Sequence, residues 1–193
     1  NGFFYVIDRE TGELLAADNY APVNWATGVD MATGRPVEVP EARFDRTGLP
    51  FVSTPGAGGA HSWHPMAFHP GEGLVYIPTI IAAFPYFPEA NWQPDRARGF
   101  NVGIDQSGGA MPADLAVREG AAGSVKGALI AWDPVTNSER WRVDYPGPWN
   151  GGLLATGGGL VFQGLASGNM AAFNAANGTE LWRYPVQTGT VAP

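Results

Sequence analysis

The sequence contains no cysteine among its 193 residues, so neither a disulfide bond nor a cysteine-ligated metal site can form within it. This absence does not identify a compartment, because a secreted chain without disulfides and a cytosolic chain fit equally well. Charged residues are also scarce, at 15%, and 11 Lys and Arg face 18 Asp and Glu. The resulting net charge of −7 excludes the basic surface with which proteins bind nucleic acids or anionic membranes.

Long hydrophobic runs are missing as well. The longest candidate, LVYIPTIIAAF at 74–84, is interrupted by Pro78 and is too short for a membrane span. The first residues, NGFFYVIDRETG, have no charged leading region and no cleavage site. We therefore expect neither a membrane span nor a signal peptide in this chain.

Glycine, proline and aromatic residues are abundant instead. The chain has 27 Gly, 17 Pro and 12% aromatic residues, including 7 Trp. Gly and Pro together approach the level that, without a period, is typical of disorder. The aromatic content favours a packed all-β protein, in which the glycines and prolines form turns.

Three segments of the chain align without gaps. They are YVIDRETGELLA at 5–16, AWDPVTNSERW at 131–141 and AFNAANGTELW at 172–182. Each has Asp or Asn, then Gly or Asn four residues later, then Ala or Trp after four more. These positions are Asp8, Gly12 and Ala16; Asp133, Asn137 and Trp141; and Asn174, Gly178 and Trp182.

This pattern predicts a β-hairpin in each segment. Asp or Asn opens a turn by accepting a hydrogen bond from its own backbone two residues on, and Gly or Asn takes the left-handed position that ends it. Asp133 and Asn174 are 41 residues apart, and Asp8 and Asp133 are 125 apart, close to three such periods. Hairpins at a period near 41 residues are typical of the four-stranded blades of a β-propeller.

The stretch 150–182 divides into one such blade. GLLAT, LVFQG, MAAFN and ELWRY form the four predicted strands, with the glycines at the turns. GVDMATGRPVE at 28–38 carries the same turn, but it comes too soon after the first to begin another blade. We predict an all-β chain of antiparallel four-stranded blades, with 1–193 as a single partial β-propeller domain.

The stretch from about 84 to 126 departs from this pattern. It is rich in Pro, Gly and aromatic residues and shows no clean alternation of apolar and polar residues. We predict a long loop excursion from the rim of a blade, and loops of this length are usually functional or disordered.

Three stretches resemble the alcohol dehydrogenase branch of the pyrroloquinoline-quinone (PQQ) dehydrogenases. They are NGFFYVIDRETGELL at 1–15, HSWHPMAFHPGEGLVYIP at 61–78 and GPWNGGLLATGGGLVFQG at 147–164, and the repeated turns resemble that family's tryptophan-docking motif. The resemblance implies an eight-bladed propeller with PQQ on its axis beside a calcium or lanthanide ion. It also implies that this chain matches only a C-terminal part of the catalytic domain.

The resemblance places the catalytic base and the metal ligands in other blades, so no catalytic or metal-binding residue is assigned here. We expect this chain by itself to be inactive. Ser62 and Trp63 align with the family's Asn-Trp pair at the polar edge of the cofactor, although Ser is shorter than Asn. Trp149 aligns with a tryptophan near the quinone, and Asn150 follows it. A planar anionic ring system needs aromatic faces and polar edge groups of this kind.

Other conspicuous residues have structural interpretations. Trp141 and Trp182 occupy the docking position and are expected to lock adjacent blades. Asp8, Asp133 and Asn174 are expected to form turns. His61, His64 and His69 suggest a zinc site, but without cysteine or a nearby acidic pair they are better explained as satisfied polar or turn histidines.

The resemblance implies a periplasmic enzyme that oxidises a small alcohol to an aldehyde or ketone by hydride transfer to PQQ. An electron acceptor such as a cytochrome c would follow, and other chains or copies could complete the propeller. The alternative is a non-enzymatic propeller that serves as a scaffold for protein–protein interaction. Trp63 and Trp149 discriminate between the two, because a scaffold does not need them on the axis.

Overall fold

A computed structural model describes residues 1–97, 99, 101–105 and 124–191. The regular secondary structure of the described residues is nearly all β-strand, as predicted. The strands are β1 (Phe3–Ile7), β2 (Leu14–Asn19), β3 (Ala26–Asp30), β4 (Arg35–Glu38), β5 (Phe51–Ser53), β6 (Ala67–His69), β7 (Leu74–Ile81), β8 (Phe84–Tyr86), β9 (Lys126–Asp133), β10 (Ser138–Tyr145), β11 (Leu153–Thr156), β12 (Leu160–Leu165), β13 (Asn169–Asn174) and β14 (Glu180–Pro185). A 3₁₀ turn, Pro40–Ala42, precedes the short helix α1 (Phe44–Thr47).

Two four-stranded antiparallel sheets form the body of the described structure. The central sheet has the order β10-β9-β7-β6, and the last sheet has the order β11-β12-β13-β14. The last sheet contains the four strands predicted for 150–182, in the predicted order. The first hairpin, β1 paired with β2, forms a two-stranded sheet. The two four-stranded sheets confirm the prediction of blades with four antiparallel strands.

The three aligned segments form structurally equivalent hairpins. Each has an irregular register at the same place, so that Ala16 lies opposite Val6, Trp141 opposite Ala131, and Trp182 opposite Ala172. One extra residue in the returning strand bulges out of each ladder and increases the local twist. The sequence repeat therefore corresponds to a repeated backbone shape.

The turns of these hairpins are built as the sequence predicts. Asp8 Oδ1 accepts hydrogen bonds from the backbone N–H of Glu10 and Thr11, at 2.9 and 2.7 Å. Asn174 Oδ1 accepts one from Ala176, at 2.9 Å. Gly178 ends its turn at φ +73°, a left-handed conformation that favours glycine.

Both faces of the central sheet are buried at its two middle strands, β7 and β9. β9 alternates its side chains between two apolar clusters, so that its sequence is almost continuously hydrophobic. Leu129 and Ala131 pack with residues of the last sheet, such as Val161 and Phe173. On the other face, Ile130 and Trp132 pack with a cluster that includes Tyr20, Ala60 and Ile77, and Phe4 of the first hairpin covers it.

The distance of 125 residues between Asp8 and Asp133 does not correspond to three blades. Phe4 of the first hairpin contacts Trp132 of the central sheet, with ring centroids 6.1 Å apart, so the two hairpins belong to neighbouring sheets. The intervening residues include the small hairpin β3–β4 and the two-stranded sheet β5–β8. β3–β4 contains the turn predicted at 28–38, and it is a separate hairpin, as expected.

The predicted excursion at about 84–126 follows β7, and the described chain re-enters the central sheet at β9. Its first residues form β8, which pairs with β5, and Pro88 bridges to Ile104. The part at 106–123 lies outside the described residues. The excursion at about 84–126 and the single partial propeller domain at 1–193 both remain predictions. Within the described part of the chain, no helix combines the length and hydrophobicity that a membrane crossing needs.

Candidate functional site

The candidate cofactor residues come from two loops that meet at one end of the sheets. The first loop leads into β6 and carries Ser62 and Trp63, while the second leads into β11 and carries Trp149 and Asn150. The N–H of Leu153 donates to the carbonyl of Pro65 at 3.0 Å and ties the loops together. The connections β7–β9 and β12–β13 lie at the same end, because antiparallel strands alternate in direction.

Trp63 and Trp149 form an aromatic cluster around His64. The imidazole of His64 stacks on the indole of Trp63, with centroids 4.3 Å apart and planes at 22°. It lies 6.0 Å from the indole of Trp149, at 43°. Trp63 is 60% exposed and Trp149 is 45% exposed, whereas His64 is 2% exposed. The cluster therefore presents two indoles to solvent over one buried ring.

The His64 imidazole has an unusual environment. Burial lowers the pKa of His64, and the electrostatic effect of His61 lowers it further. A hydrogen bond with the backbone of Val191 acts in the opposite direction. The ring is therefore neutral at pH 7. Its Nε2 atom has no hydrogen-bond partner among the described residues. Such an unsatisfied buried group costs about 1–3 kcal/mol and is rare in folded proteins.

Asn150 supports the second loop from within. It is 6% exposed, its amide nitrogen donates to the carbonyl of Gly147 at 2.9 Å, and its Oδ1 accepts from the N–H of Ala166 at 3.1 Å. A Cβ at Gly127 would lie 2.9 Å from the Asn150 amide nitrogen, so only glycine fits beneath the loop. Asn150 thus fixes the backbone beside Trp149 and links it to the β12–β13 turn.

Ser62 lies beside Trp63 and is partly buried. Its hydroxyl group can donate and accept hydrogen bonds at the edge of the cluster. The structure thus brings Ser62, Trp63, Trp149 and Asn150 to one end of the two sheets. A cofactor contact by any of them remains a prediction.

The three histidines do not converge on a metal site. His61 Nε2 lies 2.7 Å from the carbonyl oxygen of His64, and His69 Nδ1 accepts from the N–H of Glu72 at 3.1 Å in the β6–β7 turn. His69 is therefore a turn residue, as expected. No group of three or more potential ligands among His, Asp and Glu occurs within the described ranges.

The docking tryptophans differ in their surroundings. Trp141 lies over Gly178 of the last sheet and donates from Nε1 to the carbonyl of Ala175 at 3.0 Å, so it joins the central sheet to the last one. Trp182 occupies the equivalent position on the last sheet, is 47% exposed and stacks on Tyr184. A blade-locking contact for Trp182 remains a prediction.

Sequence reasoning missed the part that His64 plays between the two tryptophans. Trp63 and His64 are adjacent, and side chains of adjacent residues point to opposite faces in an extended strand. They stack here because this segment is a loop before β6. Pro65 directly after His64 was the available signal, because a proline restricts the conformation of the preceding residue.

Comparisons with known proteins identify the family. The PQQ_2 family model, described as outer membrane protein assembly factor BamB, matches residues 90–193. The chain is 46% identical over 192 residues to the quinohemoprotein alcohol dehydrogenase ADH IIB of Pseudomonas putida, covering 100% of this chain and 26% of that protein. It is 43% identical over 193 residues to the dehydrogenase subunit of a quinone alcohol dehydrogenase of Gluconacetobacter polyoxogenes, with the same coverage of 100% and 26%.

The fold agrees with these relatives. The solved structure of the quinohemoprotein alcohol dehydrogenase ADHIIG from Pseudomonas putida superimposes with a TM-score of 0.92 at 42% identity. The match covers 100% of this chain and 28% of that one. The chain thus spans about a quarter of the length of the curated relatives it matches, 26%.

Proposed function

The chain belongs to the PQQ_2 family, and on that premise we propose that it forms part of a quinoprotein alcohol dehydrogenase. The support is similarity over 100% of the chain to alcohol dehydrogenases with 43% and 46% identity. The reaction of such an enzyme is the oxidation of a small alcohol to an aldehyde or ketone.

The site described above fits PQQ as a planar anionic ring. One face of the Trp63 indole is covered by His64, and the residue is 60% exposed, so its remaining surface can stack on a flat ligand. Trp149, 45% exposed, adds a second aromatic surface beside it. Aromatic rings of this size favour offset stacking or edge contacts with other rings.

The residues of this chain divide the binding task. Trp63 and Trp149 would stack on the ring, and the Ser62 hydroxyl would hydrogen-bond a polar edge group. Asn150 would hold the loop that carries Trp149 in place beside the ring. PQQ supplies the two-electron oxidant when it is bound. The catalytic base and the ligands of a calcium or lanthanide ion are not assigned to residues of this chain.

The surroundings of the enzyme follow from the same proposal. A periplasmic location and an electron acceptor such as a cytochrome c are what we expect for a quinoprotein alcohol dehydrogenase. Other chains or copies would cover the exposed apolar face of the last sheet, where Leu154 and Trp182 are 61% and 47% exposed. Uncovered sheet faces of this kind usually mark an interaction surface.

The alternative, a propeller scaffold without enzymatic activity, is not favoured by the comparisons. The PQQ_2 description names an assembly factor, but its match covers residues 90–193, whereas the dehydrogenases match over 100% of the chain. The loop with Ser62 and Trp63 lies outside the PQQ_2 match and within the dehydrogenase match.

Titration of the full chain with PQQ tests the proposal, with tryptophan fluorescence as the readout. We expect saturable quenching, and about tenfold weaker binding in Trp63→Ala and in Trp149→Ala, since each removes a stacking surface. Trp182→Ala is the matched control, because Trp182 is as exposed as Trp149, at 47% against 45%, but lies on the face of the last sheet. Absence of saturable quenching, or an equal loss in Trp182→Ala, would contradict the proposal.

A further inference from the structure

His64 is the buried polar residue that the proposed binding site leaves unexplained. Four buried side-chain nitrogens lack a hydrogen-bond partner among the described residues: Arg43 Nε, His64 Nε2, His69 Nε2 and Trp92 Nε1. Of these four residues, His64 is in ring contact with both candidate cofactor tryptophans.

The backbone on both sides of His64 is fixed. The carbonyl of His64 lies 2.7 Å from His61 Nε2, and the carbonyl of the next residue, Pro65, accepts from Leu153 at 3.0 Å. Pro65 also packs closely against Gly152, where a Cβ would collide with the proline ring. The imidazole is therefore carried by a rigid segment braced against both its own loop and the last sheet.

A rigid imidazole at this position restricts both indoles. Exposed tryptophans such as Trp63 would otherwise sample several rotamers, and that freedom would be lost on ligand binding. Stacking of Trp63 at 4.3 Å, together with the packing of Trp149 at 6.0 Å, limits the two indoles before any ligand arrives. The neutral ring serves as a flat aromatic surface without bringing a charge beneath the site.

We propose that His64 is a positioning residue that holds the indoles of Trp63 and Trp149 in one arrangement, as a preformed platform for a planar anionic ring. The inference rests on the proposed function for the identity of the ligand. It does not rest on it for the arrangement of the two tryptophans, which is a property of the ligand-free chain. His64 acts through the tryptophans, and its buried ring does not need to touch the ligand.

His69 provides the comparison within the same chain. It is 7% exposed and its Nε2 also lacks a partner, but its ring accepts a hydrogen bond from Glu72 in a turn at the opposite end of the sheet. Loss of His69 should therefore affect stability without affecting the tryptophan cluster. His64 and His69 thus form a matched pair for separating positioning from general stability.

The experiment uses the full chain with His64→Ala, His64→Phe and His69→Ala. Near-ultraviolet circular dichroism of the ligand-free protein reports the fixed arrangement of the tryptophans, and fluorescence titration with PQQ gives the dissociation constant. We expect His64→Ala to lose part of the tryptophan dichroism and to bind PQQ about tenfold more weakly, by the loss of one stacking contact and of preorganisation. His64→Phe keeps an aromatic ring and should restore both signals, with affinity within about twofold of the original chain.

The outcomes separate the two proposals. Unchanged dichroism in His64→Ala, equal changes in His69→Ala, or no restoration by His64→Phe would overturn the positioning role. If the unaltered chain does not bind PQQ while His64→Ala still alters the dichroism, the positioning role stands and the proposed function fails. Thermal unfolding of each variant, measured alongside, shows whether a changed signal follows from lost folding, which would also overturn the role.

Discussion

On one face of the central sheet Trp141 lies over Gly178 of the last sheet, whereas on the other face Ala16 of the first hairpin holds the position equivalent to Trp141. The turn position of the neighbouring sheet differs in parallel. The corresponding turn residue is Gly178 in the last sheet and Asn137 in the central sheet. Both turn residues have positive φ, at +73° and +51°.

The difference has a steric cause at Gly178. A Cβ there would lie 2.6 Å from Cε3 of Trp141, closer than side-chain atoms approach one another. At Asn137 the side chain has room, and it accepts a hydrogen bond from Trp132 Nε1 at 3.1 Å and donates to Asp18 of the first hairpin. The central sheet thus contacts the turn residue of the last sheet through an indole, whereas the first hairpin contacts the turn residue of the central sheet through a hydrogen bond.

The interface between the central and last sheets also contains buried hydrogen bonds. The hydroxyl of Tyr76 and Nε1 of Trp141 both donate to the carbonyl of Ala175, at 2.9 and 3.0 Å. Tyr145 donates to Oε1 of Gln163 at 2.8 Å, and Gln163 is 1% exposed. Burial raises the pKa of Tyr145, with a further contribution from Glu180, so its hydroxyl remains a donor. The interface between the central and last sheets is therefore held by directional bonds as well as apolar packing.

Replacement of Gly178 should have the largest effect on this comparison. We expect Gly178→Ala to lower the free energy of unfolding by about 3 kcal/mol, from overpacking against Trp141 and from the left-handed backbone. Gly12→Ala is the control, because Gly12 has φ +77° with nothing within 4 Å of its added Cβ. Its cost should be about 1 kcal/mol, from the backbone alone. Urea unfolding measures both, and equal losses would show that docking does not require glycine.

Removal of the Tyr145 hydroxyl should have an intermediate effect. Tyr145→Phe leaves Oε1 of the buried Gln163 without its donor, and we expect a loss of about 2 kcal/mol in the free energy of unfolding. Tyr76→Phe should cost about 1 kcal/mol, because Trp141 still donates to the shared carbonyl of Ala175. A larger loss for Tyr76→Phe in the same urea experiment would place the main polar lock at Ala175.

Acid should produce the smallest effect and should distinguish the turns. Backbone N–H groups of Thr136 and Val135 lower the pKa of Asp133. Because the folded value lies below the unfolded value of about 3.9, the carboxylate stabilises the fold above that pH, and the stabilisation is lost as pH falls through the folded value. Asp133→Asn should flatten the stability profile below about pH 4, and Asn174→Asp should steepen it. Unchanged profiles in thermal unfolding would exclude these turns as acid-sensitive elements.

Much of the fold is predictable because it depends on local chemistry. The spacing from Asp8 to Ala16 and from Asn174 to Trp182 encodes a turn and a bulged strand, and both form as expected. The four strands of the last sheet follow from glycines that fall at turns. The repeat position of Trp141 predicts a contact with the next sheet, and Trp141 does contact Ala175 there.

What could not be predicted depends on contacts between distant segments. The strand β5 pairs with β8 although neither has a clear apolar alternation. The 125 residues from Asp8 to Asp133 are close to three periods in length, yet the two hairpins belong to neighbouring sheets. His64 and Trp149 come together because β6 and β11 lie side by side in neighbouring sheets. The resemblance alone points to the candidate site residues, whereas the position of His64 among them depends on its burial and its two ring contacts.

The pairing of β7 with β9 has a consequence for how such proteins diversify. Seven consecutive register pairs, from Val75 with Trp132 to Ile81 with Lys126, join two strands that are separated in sequence by residues 82–125. Closing a loop costs only about 0.6 kcal/mol more for each doubling of its length. The ladder can therefore accept insertions, deletions and new sequences between its strands with little thermodynamic penalty. Such changes would fall at the end of the sheets where Trp63 and Trp149 lie, and the rim of the site could vary while the sheet stays the same.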